Sequence, residues 1–321
     1  MLLVTGGTGF IGGHLLERLC ASGVPVKCLV RPTVPARRLP NAVQAVPGDL
    51  ISGQGLAEAV DGVETIFHLA GVTKALWAAD YFAGNARATA NLAGALAGRS
   101  VRFVHVSSLA AAGPSPNGSP VAEDAEPRPV TNYGRSKLES ERIVRDRLPG
   151  AVIVRPAVVY GPRDTDVFQI LKSISKGLVV EISGGERWFS AIYVEDLVDG
   201  LLAAAGSSVA AGRVYFLANP KPVSWTELGL AAARIMGRKP HFVRVPPAVA
   251  YAAGCLGEIW SHIRRRPGII SREKVIEARC PNWTCDTRRA AAELAFSAKT
   301  TLPEGLAFTL AWYKEAGWLT Y

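Results

Sequence analysis

Within its first dozen residues the chain passes from a short apolar run, Leu2-Leu3-Val4, into Thr5-Gly6-Gly7-Thr8-Gly9-Phe10-Ile11-Gly12. No other feature restricts the fold as much. Glycines at this density let the backbone turn tightly and bring its N–H groups close to a ligand. The apolar residues that follow, Ile11, Leu15, Leu16 and Leu19, recur with helical spacing. A strand that turns through glycines into a helix offers the helix's unpaired N–H groups to an anion. Gly6, Gly9 and Gly12, with Phe10 and Ile11 at the helix start, are therefore expected to cradle a dinucleotide pyrophosphate.

The alternation continues downstream. Short, nearly all-apolar runs predict strands over 2–5, 26–30, 43–46, 65–69, 101–106 and 151–154, and Ala/Leu-rich stretches predict helices over 10–22, 56–60, 81–97 and 133–148. Apolar strands joined by helices define a parallel sheet covered on both faces. The fold class is thus α/β, a doubly wound parallel Rossmann sheet with a smaller interleaved C-terminal substrate lobe. The boundaries expected are 1–160 for the dinucleotide-binding domain and 161–321 for the lobe, with 189–217 returning to the first domain. Further helices are expected over 168–177 and 225–236.

Composition narrows the class. Nearly half of the 321 residues are hydrophobic and a fifth charged, which is enough to build a large core and excludes a disordered chain. The net charge is +9, yet no long Lys/Arg tract with interleaved aromatics accompanies it, so a nucleic-acid partner is not expected. Five cysteines, Cys20, Cys28, Cys255, Cys280 and Cys285, are scattered without a CxxC pair or a histidine cluster. Neither a disulfide framework nor a zinc site is expected, and the reading is a cytoplasmic protein. The chain starts in a strand rather than in a basic leader. The apolar stretch 245–256 is too short to span a bilayer, which leaves at most peripheral membrane contact. A core helix is the preferred reading of it, a hydrophobic substrate pocket or a membrane-facing lid the other.

The end of the second strand bears on the cofactor. A carboxylate about twenty residues after the glycines holds the ribose hydroxyls of NAD. Here the strand ends in Leu29-Val30-Arg31-Pro32, with Arg37 and Arg38 close behind. A guanidinium fork suits a 2′-phosphate, so NADP(H) is preferred and NAD(H) stays open. Asp49, in Gly48-Asp49-Leu50, is assigned to the adenine amino group, with an ordinary turn aspartate as the alternative.

Tyr133 and Lys137 are four residues apart at a helix start, which puts both on one helical face. A phenol titrates near 10, and a neighbouring cation stabilises its anion and brings it toward use at neutral pH. Ser107-Ser108 follows the fifth strand, at the carboxyl edge where such sheets bind ligands. Asn85 is a further candidate for the site, or a solvated helical residue.

Taken together these pieces resemble the extended short-chain dehydrogenase/reductase family, of the NAD-dependent epimerase/dehydratase superfamily. They are the TGGTGFIG loop, Gly48-Asp49-Leu50, His68-Leu69-Ala70-Gly71, Ser107-Ser108, Tyr133 with Lys137, Arg155-Pro156, Tyr160-Gly161-Pro162 and Tyr193-Val194-Glu195-Asp196-Leu197. The resemblance implies a Ser108–Tyr133–Lys137 triad, with Lys137 on the nicotinamide ribose, Pro156 lining the nicotinamide pocket, and Leu50, Leu69, Ala70 and Gly71 beside the cofactor. It also implies a homodimer built through two helices of each subunit. Val158, where sugar-nucleotide enzymes of the family carry Asn, and Ala111-Ala112-Gly113 after the serines depart from the sugar-nucleotide pattern. They place the chain nearest the dihydroflavonol-reductase and 3β-hydroxysteroid-dehydrogenase branch. The function implied is interconversion of a ketone and a secondary alcohol on a fairly apolar substrate. A nucleotide-sugar epimerase or dehydratase with retained NAD is the alternative, and a non-catalytic dinucleotide sensor a third.

Overall fold

The computed structural model describes residues 1–33, 39–268 and 270–321, so Arg37 and Arg38 lie outside the described residues. The chain alternates as its apolar pattern dictates, through β1 (Leu2–Thr5), α1 (Phe10–Ala21), β2 (Val26–Val30), β3 (Val43–Pro47), α2 (Leu56–Val60) and β4 (Thr65–His68). It continues through α3 (Ala78–Phe82), α4 (Ala88–Ala95), β5 (Arg102–Val106), α5 (Leu109–Ala112), α6 (Asn132–Arg147) and β6 (Val152–Pro156). Next come β7 (Val158–Tyr160), α7 (Val167–Ser175), β8 (Leu178–Ile182), β9 (Trp188–Phe189), β10 (Ala191–Tyr193), α8 (Val194–Gly206) and β11 (Val214–Leu217). Among the described residues the chain ends with β12 (Val223–Ser224), α9 (Trp225–Ile235), β13 (His241–Val245), α10 (Pro247–Ile263), α11 (Arg272–Arg279), β14 (Asn282–Trp283), α12 (Arg288–Leu294) and α13 (Leu302–Glu315).

Seven parallel strands form the central sheet in the order β11-β6-β5-β4-β1-β2-β3. Strand order reverses between β1 and β4, and at that point the carboxyl ends of the strands open a crevice. Leu3, Val4, Ile66, Phe67, Phe103, Val104, Val152 and Val154 are all essentially inaccessible, as strands covered on both faces require. A second core joins α7, α9 and α13 around Leu171, Ile174, Leu228, Leu306, Leu310 and Tyr313. Small sheets β10-β7, β12-β9-β14 and β13-β8 edge this lobe. Arg163, ahead of α7, grips Glu17 of α1 at 2.7 and 2.9 Å and His14 Nε2 meets the Pro162 carbonyl at 3.0 Å, while His14 Nδ1 meets Glu195 of α8 at 2.5 Å.

Two expectations are corrected. The helix expected over 81–97 is interrupted by a π-helical turn, Ala83–Arg87, between α3 and α4. The apolar stretch 245–256 is not a core helix. Val245 ends β13, and the rest from Pro247 on belongs to α10, which runs on to Ile263 and buries only Gly254 and Ser261. Apolar periodicity marks a helix's hydrophobic face but does not say whether protein covers it.

Candidate active site

Gly6 shows why the first turn needs glycine. Its φ is +76°, and a Cβ there would stand 2.7 Å from the Ala70 backbone nitrogen, so the loop after β1 lies directly on the loop after β4. Gly9 caps α1 with its backbone exposed, no side chain bonds the helix's first N–H groups, and no acid occupies the first turn. Gly12 is buried one turn on, and Phe10 and Ile11 are half-buried beside it. These residues fit a dinucleotide pyrophosphate: the donors are available, the helix dipole favours an anion, and nothing negative competes. Arg31 is exposed at the end of β2. Asp49 is half-buried, and its Oδ1 accepts from the Ile51 and Ser52 backbone N–H groups at 2.6 and 3.0 Å, closing a turn. The Leu50 carbonyl accepts from Asn91 at 2.8 Å. Pro156 is buried at the end of β6.

The catalytic candidates arrive from β4, β5 and α6. Thr131 caps α6, its Oγ1 accepting from the Gly134 N–H at 3.2 Å. A Cβ on Gly134 would stand 2.3 Å from the Ala110 carbonyl, so glycine between Tyr133 and Lys137 lets α6 press against α5, directly after Ser108. Ser108 caps α5, its Oγ accepting from the Ala110 N–H at 3.1 Å. The Ser108 side chain also acts on the Tyr133 phenol. Burial pushes this phenol above its ordinary value of 10, Ser108 and the Lys274 ammonium pull it back, and Glu277 and Tyr81 push it further up. Lys137 is buried, with its Nζ donating to the Val106 carbonyl at 2.7 Å. Burial brings its ammonium down to about 8, against the opposing pull of Glu141. Gly71, after β4, passes so close that a Cβ there would be 3.6 Å from Lys137 Nζ.

Below these residues runs a polar belt of definite direction. Thr89 Oγ1 donates to the Asn85 carbonyl at 2.6 Å, so it accepts from His68 Nε2–H at 2.9 Å. His68 Nδ1 then accepts from the Thr5 hydroxyl at 2.7 Å. Burial, with Lys137 nearby, holds the His68 imidazolium down to about 3, so the ring is neutral. Asn85 is buried, not solvated. It grips Val72 at both backbone groups, 2.7 and 3.0 Å, and donates to Ser136 Oγ at 2.8 Å, tying the loop after β4 to α6. The π turn brings it inward.

The other residue of the serine pair has a different task. Ser107 is buried and donates to Glu141 Oε1 at 2.6 Å. Glu141 is itself held by Arg155 in a bidentate pair of 2.8 and 2.7 Å, both side chains almost wholly inaccessible. This pair locks α6 against β5 and β6.

Beside Tyr133, which is not in its wall, lies a cleft of about 600 Å³, lined by Tyr81, Asn132, Tyr251, Ser261, His262 and Lys274 among others. Tyr81 stands 6.3 Å from Tyr133, ring to ring. Helix α11 closes one side by accepting the Asn132 N–H on Glu273 at 2.7 Å and the Thr131 hydroxyl on Glu277 at 3.3 Å. Lys274, half-exposed and 2.9 Å from Glu277, is a cation of the lobe that acts on the phenol. Sequence reasoning missed Lys274, and no spacing could have found it, because α11 meets α6 only through the tertiary fold.

The pattern of the NAD dependent epimerase/dehydratase family matches residues 2–218, and the chain belongs to that family. A relative of 31% identity, over 99% of this chain and 96% of its own length, is a ceramide reductase of Caulobacter vibrioides. Another is a 3-beta-hydroxysteroid dehydrogenase of Mycolicibacterium neoaurum, 27% identical over 98% of this chain and 91% of its own. A solved structure of MoeE5 with UDP-glucuronic acid and NAD superposes with a TM-score of 0.78 at 26% identity, covering 98% of this chain and 99% of that one. The chain is an NAD(P)-dependent oxidoreductase of the extended short-chain dehydrogenase type.

Proposed function

We propose that this enzyme interconverts a ketone and a secondary alcohol on a fairly apolar substrate, with NADP(H) as cofactor and Ser108, Tyr133 and Lys137 as its catalytic residues. The observation that carries the proposal is the placement of Tyr133 and Lys137 one turn apart at the start of α6, where Gly134 packs on α5 directly after Ser108, beside the cleft that Tyr81 and Asn132 line. When bound, the nicotinamide supplies or takes up hydride. In the reductive direction Ser108 orients the substrate oxygen and Tyr133 delivers the proton to it. Lys137 sits against Gly71 and the Val106 carbonyl, where its ammonium would hold the ribose of a bound cofactor and would favour phenolate. The glycine loop would hold the pyrophosphate, and exposed Arg31 the 2′-phosphate.

Relatives named as ceramide reductase and 3-beta-hydroxysteroid dehydrogenase support an apolar substrate for this chain. A nucleotide sugar has less support, because Val158 occupies the family's usual Asn position and lies exposed on β7. The test is to identify the cofactor carried by the purified protein and then follow NADPH absorbance with long-chain and steroidal ketones. NADPH oxidation that clearly exceeds NADH oxidation is expected. Firmly retained NAD with no net redox change on a UDP-sugar would replace this reading with an epimerase.

A further inference from the structure

Helix α10 has its polarity reversed. Its solvent face carries Val249, Leu256, Ile259, Trp260 and Ile263, which are 56, 67, 57, 57 and 68% exposed. These positions follow a helical stripe along with exposed Ala252 and Ala253. The face turned to the protein is small or polar: a Cβ on Gly254 would stand 3.0 Å from Val275 and one on Gly257 2.5 Å from the Ile270 carbonyl, while Ser261 is buried. The stripe ends in Arg264, Arg265 and Arg266, all exposed, with the Arg264 guanidinium 5.3 Å from the centre of the Trp260 ring. Arg244, 74% exposed, precedes its other end. Glu258 is the helix's sole carboxylate, and Arg272 holds it at 2.6 and 2.8 Å.

We propose that α10 is an interfacial helix that docks the enzyme on an anionic phospholipid bilayer, with Leu256, Ile259, Trp260 and Ile263 among the acyl chains and Arg264–Arg266 at the headgroups. An apolar stripe with arginine and tryptophan at its margin is the composition such helices need. Charge argues against a second copy of the chain on this face: a two-fold pairing would set the arginine run against itself or against Arg244. The other side of the same helix walls the cleft through Tyr251, Ser261 and His262, and Trp77, 62% exposed, packs edge-on to His262 at 4.6 Å. Docking therefore sets the cleft mouth at the membrane surface, where an amphipathic ketone enters from the lipid. This last step rests on the proposed reductase function.

The test is flotation of the full chain with vesicles of phosphatidylcholine alone and of phosphatidylcholine mixed with phosphatidylglycerol. Binding to the mixed vesicles, weakened by salt, is expected. Leu256→Asp with Ile259→Asp should abolish it. Replacing Arg264, Arg265 and Arg266 by Gln should weaken it roughly a hundredfold, about fivefold per arginine. Both variants should keep wild-type melting temperature and turnover of a water-soluble ketone. Flotation is read without cofactor or ketone, so a chain that floats but reduces nothing refutes the reductase reading alone. Equal recovery with both vesicle types, no flotation, or variants that split a dimer while flotation persists would overturn the docking proposal.

Discussion

The Glu141–Arg155 pair shows how much of the site is held by residues that never touch a substrate. Removing one charge from a buried pair leaves the other uncompensated, at a cost of about 3–5 kcal/mol. Glu141→Gln should therefore lower stability by that amount in urea denaturation, and a loss below 1 kcal/mol would mean that water reaches Arg155. The buried histidines make stability depend on pH. The unfolded chain takes a proton on His68 as pH falls through the ordinary 6.5, whereas the folded chain resists until about 3. Stability is therefore lost as pH falls between these values, by up to about 1.4 kcal/mol per pH unit for this ring. His68→Asn should flatten that part of a stability-against-pH curve. Lys137, brought down to about 8, is charged below that pH, so kcat/KM should decline above it as the ammonium is lost. Tyr133, Lys137 and Ser108 can be proposed from the sequence because the pair's helical spacing and the strand end are local signals. Ser107 was not separable from Ser108 there: only burial against Glu141 tells the structural serine from the one at the phenol.

At the scale of elements, local pattern served the sheet well and the helices unevenly. Strands β1 to β6 and helices α1, α2 and α6 lie where apolar periodicity put them, since parallel strands buried on both faces leave a plain record. The π turn at Ala83–Arg87 left none, because one wide turn changes no residue type. Its consequence is Asn85, which bridges Val72 and Ser136. Asn85→Ala should leave the loop's N–H and carbonyl unpaired, costing about 1–3 kcal/mol, and should lower kcat more than it raises KM by loosening Gly71 from Lys137. Hydrogen exchange at Val72 reports this directly: unchanged protection in the variant would show that the loop is held by other means. For α10 the sequence displayed apolar residues and the structure showed which way they face. That difference turns a core segment into a surface.

For the whole molecule, the α/β class and the parallel sheet follow from the opening glycine loop and the alternation behind it. The lobe's layout does not, because its small sheets pair residues as distant as Trp188 and Asn282, and an isolated bridge joins Val121 to Cys285. Long-range pairings of that sort leave no mark in a local window. A ligand that binds only the folded state stabilises it, by about 2.7 kcal/mol at a hundred times its dissociation constant. NADPH should thus raise the melting temperature by several degrees, more than NADH at equal concentration, and Arg31→Ala should remove most of that difference. Equal shifts in the wild-type protein would contradict the assignment of Arg31.

Tyr133 is the residue proposed to move the proton in a redox reaction at this site. The most direct measurement is NADPH-coupled ketone reduction by Tyr133→Phe, with NADPH affinity measured on the same sample. The phenylalanine keeps the ring and removes the hydroxyl, so turnover should fall by at least about a hundredfold while cofactor affinity stays close to wild type. Turnover retained within a few-fold would contradict the account.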